Sequence, residues 1–167
     1  MDINKIKSQF PIFSNSINGK PLIYLDSSNS SQKPISVLNA LDNFYKKEFS
    51  NIGRSIHSLA VNATNKFEET RTSVKEFINA KYREEIIFTK NATEAINLVA
   101  SSFGQQNIDE GDEIIITELE HHSNYVPWHF LRETKKANIK FAPINEDGDV
   151  KIDELKKLIT SKTKIIA

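Results

Sequence analysis

The sequence predicts an α/β fold in which a mainly parallel sheet carries helices on both faces. From residue 86 onward, segments typical of strands and helices alternate up to a last strand at residues 164–167. Such alternation is typical of βαβ crossovers, which make neighbouring strands parallel. Ile114, Ile115 and Ile116 form a run that is apolar on both faces, as in a central strand covered on both sides. Between these segments, residues 91–103 have the period of an amphipathic helix.

The stretch from residue 86 to residue 103 combines a strand, a turn and a helix. An apolar run at residues 86–88 predicts a short buried strand. Asn91 is a good N-cap, and Glu94 can accept a hydrogen bond from its backbone N–H, as in a capping box. The predicted helix then has one apolar stripe, formed by Ile96, Val99, Ala100 and Phe103.

The start of this helix has two interpretations. A helix that begins at the carboxyl end of a buried strand offers unpaired N–H donors and the positive end of its dipole to an anion. The turn is then a phosphate site, with the Thr93 hydroxyl as an additional donor. Alternatively it is an ordinary capped helix, since capping boxes are common at helix starts. The residues of this stretch alone leave both interpretations open.

Composition is that of a soluble globular protein with one core. Of 167 residues, 38% are hydrophobic, and 22 basic residues balance 22 acidic ones. A net charge of zero argues against a nucleic acid or an anionic membrane as partner. There is no cysteine, which excludes a disulfide or a thiol nucleophile within these residues. No apolar run reaches the ~18 residues of a membrane span and no secretory signal precedes the rest, so we expect a cytoplasmic protein.

The remaining segments predict further elements along the chain. We expect helices at residues 4–10, 59–79 and 152–159, after Pro34, and after Asn124 as its N-cap. We expect further strands at residues 22–25, 113–117 and 139–143. These elements predict a single incomplete domain, with residues 1–80 as an N-terminal arm and helices and residues 81–167 as the start of a large domain. Because the chain stops within a predicted strand, we expect it to be a fragment of a longer protein.

His121 and His122 follow the predicted central strand, and three roles are open for them. With Glu118, Glu120 or His129 they could bind a metal, but neighbouring residues on an extended backbone point to opposite sides, so no metal site is expected. One imidazole could instead stack on a flat aromatic cofactor or move a proton. Both could also be ordinary histidines, one hydrogen-bonded and one exposed. Placement favours a ligand, because ligands of parallel sheets bind beyond the carboxyl ends of the strands.

The chain resembles the cysteine desulfurases in four segments, which follow in the order YLDSSNSSQKP, NIGRSIHSLAVNAT, IIFTKNATEAINLVA and ITELEHHSNYVPW. The most similar branch serves iron–sulfur cluster assembly, within the class V aminotransferase group of pyridoxal-phosphate enzymes. The resemblance covers essentially the whole chain. It implies the N-terminal part of a fold type I transferase, a homodimer whose pyridoxal-phosphate-binding large domain begins near residue 81.

The resemblance also implies residue roles. Ala92 and Thr93 would hold the cofactor phosphate, with Glu94 in the same turn, and His121 would stack on the pyridine ring and assist proton transfer. The residues near the substrate entrance would be Ser28, Asn29 and Arg54. The implied reaction removes sulfur from L-cysteine as an enzyme persulfide, leaving alanine, and passes it to a sulfur-acceptor protein.

The sequence departs from the family pattern at three places. Family members often have two alanines where this chain has Ser28 and Asn29, Gly-Thr where it has Asn91 and Ala92, and a histidine where it has Gly53. These changes leave two alternatives open: a related pyridoxal-phosphate enzyme that acts on another amino acid, or a non-catalytic phosphate-binding or relic fragment. The family's cofactor lysine, its aspartate partner for the pyridine nitrogen and its persulfide cysteine are expected beyond residue 167, so this stretch alone should not catalyse.

Overall fold

The computed structural model describes residues 2–167, which divide into two compact units. The first unit ends at Ile86 and the second begins at Ile87. The sequence-based boundary lay between residues 80 and 81. That both units belong to one domain stays a prediction.

The first unit is mainly helical. Its elements are α1 (Ile3–Lys7), the antiparallel hairpin β1 (Ser16–Ile17) and β2 (Lys20–Pro21), α2 (Ile35–Lys47) and α3 (Ser58–Phe77), with 3-10 turns at Pro11–Ser14 and Arg83–Glu85. The helices lie where the sequence predicts them. The predicted strand at residues 22–25 is wrong, because this segment has no sheet partner and the hairpin precedes it. An apolar run needs a partner before it forms a ladder.

Helix α3 supplies most of the burial in the first unit. Ala60 and Ala63 are buried on one side of it. The Arg71 guanidinium donates to the carbonyl oxygen of Ile86, the buried residue at the end of the unit. Lys66 pairs with Glu48, the residue that follows α2. These contacts fix α3 to the segments before and after it.

The second unit is an α/β sheet with its helices, as the sequence predicts. Its elements are α4 (Ala92–Val99), a π-helical turn (Ala100–Gly104), α5 (Gln105–Asn107), β3 (Glu113–Thr117), a 3-10 turn (His122–Asn124), α6 (Val126–Lys135), β4 (Asn138–Ala142), α7 (Ile152–Leu158) and β5 (Thr163–Ile166). The strand order is β4-β3-β5, and both pairs are parallel. The predicted strand at residues 86–88 is wrong: Ile86 has extended dihedrals, but this segment is outside the sheet.

The central strand β3 is covered on both faces. Ile114, Ile115 and Ile116 are all fully buried. Ile114 and Ile116 belong to the core cluster that contains Trp128 and Leu131 of α6. Successive side chains of a strand point to opposite faces, so Ile115 lies on the other one. Its register partner Lys140 donates to the last carbonyl of α7, which places α7 on that second face.

The helix after residue 91 is not uniform. The sequence predicts one helix over residues 91–103, and the structure has α4 followed by a π-helical turn that ends at Gly104. A Cβ at Gly104 would lie 2.6 Å from Cδ1 of Leu131, which is 1% exposed. The helix and α6 therefore approach closely at this point, and a larger residue there would require the Leu131 side chain to shift.

A buried carboxylate stands at the amino end of β3. Glu113 pairs with Lys140 through Oε1 (2.7 Å). Its Oε2 accepts hydrogen bonds from the hydroxyls of Thr160 (2.7 Å) and Thr163 (3.1 Å). The hydrogen bond from Lys140, followed by that from Thr160, holds the pKa of Glu113 below its ordinary value. This cluster joins three segments at the end of the sheet opposite to the loops that follow its strands.

Within residues 2–167, no helix combines the length and the apolar character that crossing a bilayer requires.

We expect Gly104→Ala to destabilise the fold by about 1–3 kcal/mol, the usual effect of overpacking a core. The new methyl group would overlap Cδ1 of Leu131, a buried side chain that would have to shift. Urea unfolding followed by circular dichroism measures the change. Ser101→Ala, at an exposed position of the same helical segment, is the matched control and should stay within about 0.5 kcal/mol of the parent.

We expect Glu113→Gln to remove part of the acid sensitivity of the fold. Because the folded state lowers this pKa, the carboxylate adds stability above its unfolded-state pKa and loses it as the pH falls through the lower folded-state value. The variant should therefore be less stable at pH 7, and the difference should shrink below about pH 4. Urea midpoints over pH 3–7 test this. Glu154→Gln, which breaks an exposed pair with Lys157, should show almost no difference at any pH.

Candidate functional site

Helix α4 begins with a cap made by its own residues. The Asn91 side chain accepts a hydrogen bond from the backbone N–H of Glu94 (2.9 Å), as the sequence predicts. The Glu94 carboxylate accepts from the backbone N–H of Lys90 (2.5 Å), one residue before the predicted partner Asn91. The backbone N–H and the carboxylate of Glu94 therefore both hold the turn.

Two backbone donors remain available in this turn. The N–H groups of Ala92 and Thr93 have no hydrogen-bond partner among residues 2–167, and both residues are exposed. The first N–H groups of a helix lack intrahelical partners and carry the positive end of the dipole. Together with the exposed Thr93 hydroxyl they can accept an anion such as a phosphate.

The loop after β3 is organised by a chain of side-chain hydrogen bonds. Thr117 donates through Oγ1 to Oε1 of Glu120 (2.7 Å). Asn124 donates through Nδ2 to Oε2 of the same carboxylate (2.7 Å), and its Oδ1 accepts from Nε1 of Trp128 (3.0 Å). Trp128 is 2% exposed, so this chain of bonds connects the end of the strand to the core.

His121 is the next residue in this loop and is exposed. Its Nδ1 accepts a hydrogen bond from the backbone N–H of Ser123 (3.1 Å) and lies 3.0 Å from the Ser123 hydroxyl oxygen. An Nδ1 that accepts from a backbone N–H leaves the proton of the neutral ring on Nε2. The 3-10 turn His122–Asn124, which His121 caps, contacts α4. The histidine loop and the start of α4 are thus neighbouring parts of the same unit.

The other histidines do not join this arrangement. The rings of His121 and His122 are 6.2 Å apart and nearly perpendicular. His129 packs on the ring of Tyr125 (4.2 Å). In the described part of the chain, no three side chains of histidine or carboxylate residues are grouped as a metal site would need.

The first unit contains the residues that the sequence places near a substrate entrance. The carbonyl oxygen of Asp26 accepts from the backbone N–H of Asn29 (3.2 Å), and the Tyr24 hydroxyl donates to the carbonyl oxygen of Ser30 (2.5 Å). Ser28 lies at the exposed tip of the turn made by these bonds.

Arg54 lies in the irregular segment before α3 and is also exposed. Its guanidinium has no ion pair or hydrogen bond within residues 2–167. The adjacent Gly53 adopts φ +130°, a conformation open to glycine, and its N–H donates to Thr64 Oγ1 (3.1 Å). Arg54 is therefore a free cation on a constrained turn.

Sequence reasoning missed the role of Glu120 and misassigned Asn124. Asn124 is not the N-cap of α6, because its side chain bonds to Glu120 and Trp128 instead; Tyr125 occupies the cap position. A signal was present: Glu120, Asn124 and Trp128 are spaced by four, the spacing at which side chains meet along a helical turn.

The second unit is a parallel α/β sheet in which an exposed helix start and a histidine loop are neighbours, which defines an α/β protein. Residues 23–167 match the family described as "Aminotransferase class-V". The chain belongs to this family.

Curated relatives and solved structures agree with this assignment. The chain is 50% identical over 166 residues to a "Probable cysteine desulfurase" of Staphylococcus aureus, and 49% identical to one of Staphylococcus epidermidis. Each match covers 99% of this chain and 40% of the relative. The chain therefore spans about two fifths of the length of these relatives.

Two solved structures give the same result. The apo cysteine desulfurase of Thermococcus onnurineus NA1 is similar with a TM-score of 0.86 and 34% identity, covering 98% of this chain and 39% of that protein. The cysteine desulfurase CsdA of Escherichia coli gives a TM-score of 0.80 and 31% identity, covering 99% of this chain and 40% of that protein.

Proposed function

We propose that the complete gene product is a pyridoxal-phosphate-dependent cysteine desulfurase. The observation that carries the proposal is the 50% identity, over 99% of the chain, to the "Probable cysteine desulfurase" of S. aureus. Similarity of this extent includes the anion-accepting start of α4 and the His121 loop. A class V enzyme for another amino acid, or a phosphate-binding or relic fragment, has less support, since the relatives are named cysteine desulfurases.

The proposed reaction moves one sulfur atom between two thiol-bearing molecules. The carbon–sulfur bond of L-cysteine breaks, and a sulfur–sulfur bond forms with an enzyme thiol. The products are L-alanine and an enzyme persulfide, so no external oxidant or reductant is needed. Residues 1–167 contain no cysteine, so the accepting thiol belongs to another part of the gene product.

The start of α4 fits the phosphate group of pyridoxal phosphate. The N–H groups of Ala92 and Thr93 are unpaired among the described residues, and the Thr93 hydroxyl adds a third donor. Glu94 shapes this turn, since its carboxylate is held by the backbone of Lys90. When bound, the cofactor supplies the electron sink for breaking bonds at the substrate carbons.

His121 is proposed to stack on the cofactor ring and to carry a proton. Its Nδ1 is occupied by the backbone N–H of Ser123, so Nε2 is the atom that holds and releases the proton. Imidazole suits this task because it exchanges protons near neutral pH. The adjacent chain of hydrogen bonds orients the loop that carries the ring.

Ser28, Asn29 and Arg54 are proposed to meet the substrate. A planar guanidinium binds a carboxylate through two parallel hydrogen bonds, and Arg54 has no competing partner among residues 2–167. Ser28 and Asn29 add polar groups where the family often has alanine, and this departure is what leaves a related amino acid open as the substrate. The proposal of L-cysteine rests on the similarity to cysteine desulfurases.

The wider setting is proposed by analogy with the family. The protein would act as a cytoplasmic homodimer and pass its sulfur to an acceptor protein of iron–sulfur cluster assembly. Equal numbers of basic and acidic residues give these 167 residues no basic excess that would favour a nucleic acid or an anionic membrane as partner.

We expect Thr93→Ala to weaken retention of pyridoxal phosphate by about 0.5–1.5 kcal/mol, or up to ~3 because the acceptor is charged. The variant removes the hydroxyl donor and leaves the backbone donors in place. Equilibrium dialysis of the complete gene product, followed by cofactor absorbance, measures the effect. Thr93→Ser keeps the hydroxyl and should retain the cofactor as the parent does; equal retention in all three proteins would contradict the proposal.

We expect His121→Ala to keep the cofactor but lower turnover roughly 10²- to 10⁴-fold, the usual contribution of a general acid–base residue. The measurement is alanine released from L-cysteine by the complete gene product, with cofactor content determined in parallel. His122→Ala, an exposed neighbour outside the proposed site, is the matched control and should retain parent turnover. Undiminished turnover in His121→Ala would remove this residue from the proposed mechanism.

A further inference from the structure

Glu120 holds both ends of the loop that carries His121. One oxygen of its carboxylate accepts from Thr117 at the end of β3, and the other accepts from Asn124 at the end of the 3-10 turn. His121 lies between these two attachment points. From this geometry we propose that Glu120 is a positioning residue for His121. The proposal rests on the proposed function, in which His121 carries a proton.

The directions of the hydrogen bonds support this role. An indole N–H can only donate, so Trp128 fixes Asn124 with its Oδ1 towards the indole and its Nδ2 towards Glu120. The Thr117 oxygen accepts from the backbone N–H of Leu119 (3.3 Å), which leaves its own proton for Glu120. Both oxygens of Glu120 therefore act as acceptors, as an ionised carboxylate does.

The series of hydrogen bonds ends at a buried residue of the core, Trp128. Trp128 is 2% exposed and belongs to the core cluster beneath the sheet. Glu120 and Asn124 are half-buried, which protects their hydrogen bonds from water. These side-chain bonds to the core thus add to the backbone hydrogen bonds that form the loop between strand and helix.

Order in the loop determines where the imidazole stands. The His121 ring is fixed by the backbone N–H of Ser123, and the N–H of Asn124 donates to the His121 carbonyl oxygen (2.8 Å). Both bonds require residues 121–124 to keep their turn. A misplacement of about 1 Å in a reacting group can lower turnover roughly 10²-fold. Loss of the Glu120 carboxylate should therefore act on catalysis through His121.

The chain offers two informative substitutions and a matched control. Glu120→Ala removes both acceptors. Glu120→Gln keeps the bridge with one bond reversed, because its amide oxygen can accept from Asn124 while its NH₂ group donates to the second lone pair of Thr117 Oγ1. Glu118→Ala removes another carboxylate of the same loop, whose Oε2 accepts from the backbone N–H of Ile144 (3.3 Å) instead.

The first experiment measures hydrogen–deuterium exchange in the complete gene product loaded with pyridoxal phosphate. Glu120→Ala should exchange about 10-fold faster at the amides of residues 121–124, while the amides of β3 and β4 stay unchanged. Glu120→Gln and Glu118→Ala should match the parent. Unchanged exchange at residues 121–124 would overturn the proposal, and so would faster exchange throughout the sheet, which would show a general structural role.

The second experiment is a double-mutant cycle on alanine release. Glu120→Ala should lower turnover about 10²-fold in the parent but have almost no further effect in a His121→Ala background, because residues that act through one another are non-additive. Additive losses would overturn the positioning role. If His121→Ala alone retains full turnover, the proposed function of His121 fails; the exchange data then still decide whether Glu120 orders the loop.

Discussion

Complete burial of the short central strand is the constraint on which the second unit depends. Ile114, Ile115 and Ile116 are inaccessible to water, so the strand needs a helix layer on each face and a hydrogen-bonded neighbour on each edge. Parallel neighbours require crossover helices, and α6 and α7 fulfil this requirement. Crossovers in turn bring the carboxyl ends of all three strands to one edge. The His121 loop lies there because it follows the buried strand directly.

Polar groups at the two ends of β3 have different tasks. At the amino end, Glu113 is saturated by a lysine and two threonine hydroxyls, and all its partners belong to the sheet or its immediate connections. At the carboxyl end, Glu120 is equally saturated, but its partners order a loop whose next side chain is exposed. The first carboxylate connects the segments at the amino end of the sheet, and the second connects the two ends of the loop that carries His121. A buried acid at the start of β3 and a half-buried acid in the loop after it are thus both held by hydrogen bonds.

The sequence predicts those features of the fold that depend on residues close together in the chain. The three parallel strands and the Asn91 cap follow from apolar runs and from a side chain that reaches three residues ahead. The strands expected at residues 22–25 and 86–88 failed because pairing depends on a partner that composition does not show. The sequence also did not predict the π-helical turn at Gly104 or the hydrogen bonds of Asn124, since both involve contacts with α6. Site residues stay predictions, because the family resemblance, rather than spacing, assigned their roles.

Trp128, at the end of the series of hydrogen bonds that starts at Glu120, is also a fluorophore. Trp128 is the only tryptophan in these 167 residues, and its Nε1–H donates to the amide that holds the histidine loop. Tryptophan emission shifts with the hydrogen bonding and polarity around the indole. The fold therefore contains a built-in fluorophore whose colour reports on the order of the loop, without any attached label. Loss of the hydrogen bond between Trp128 and Asn124 would change the emission of the indole.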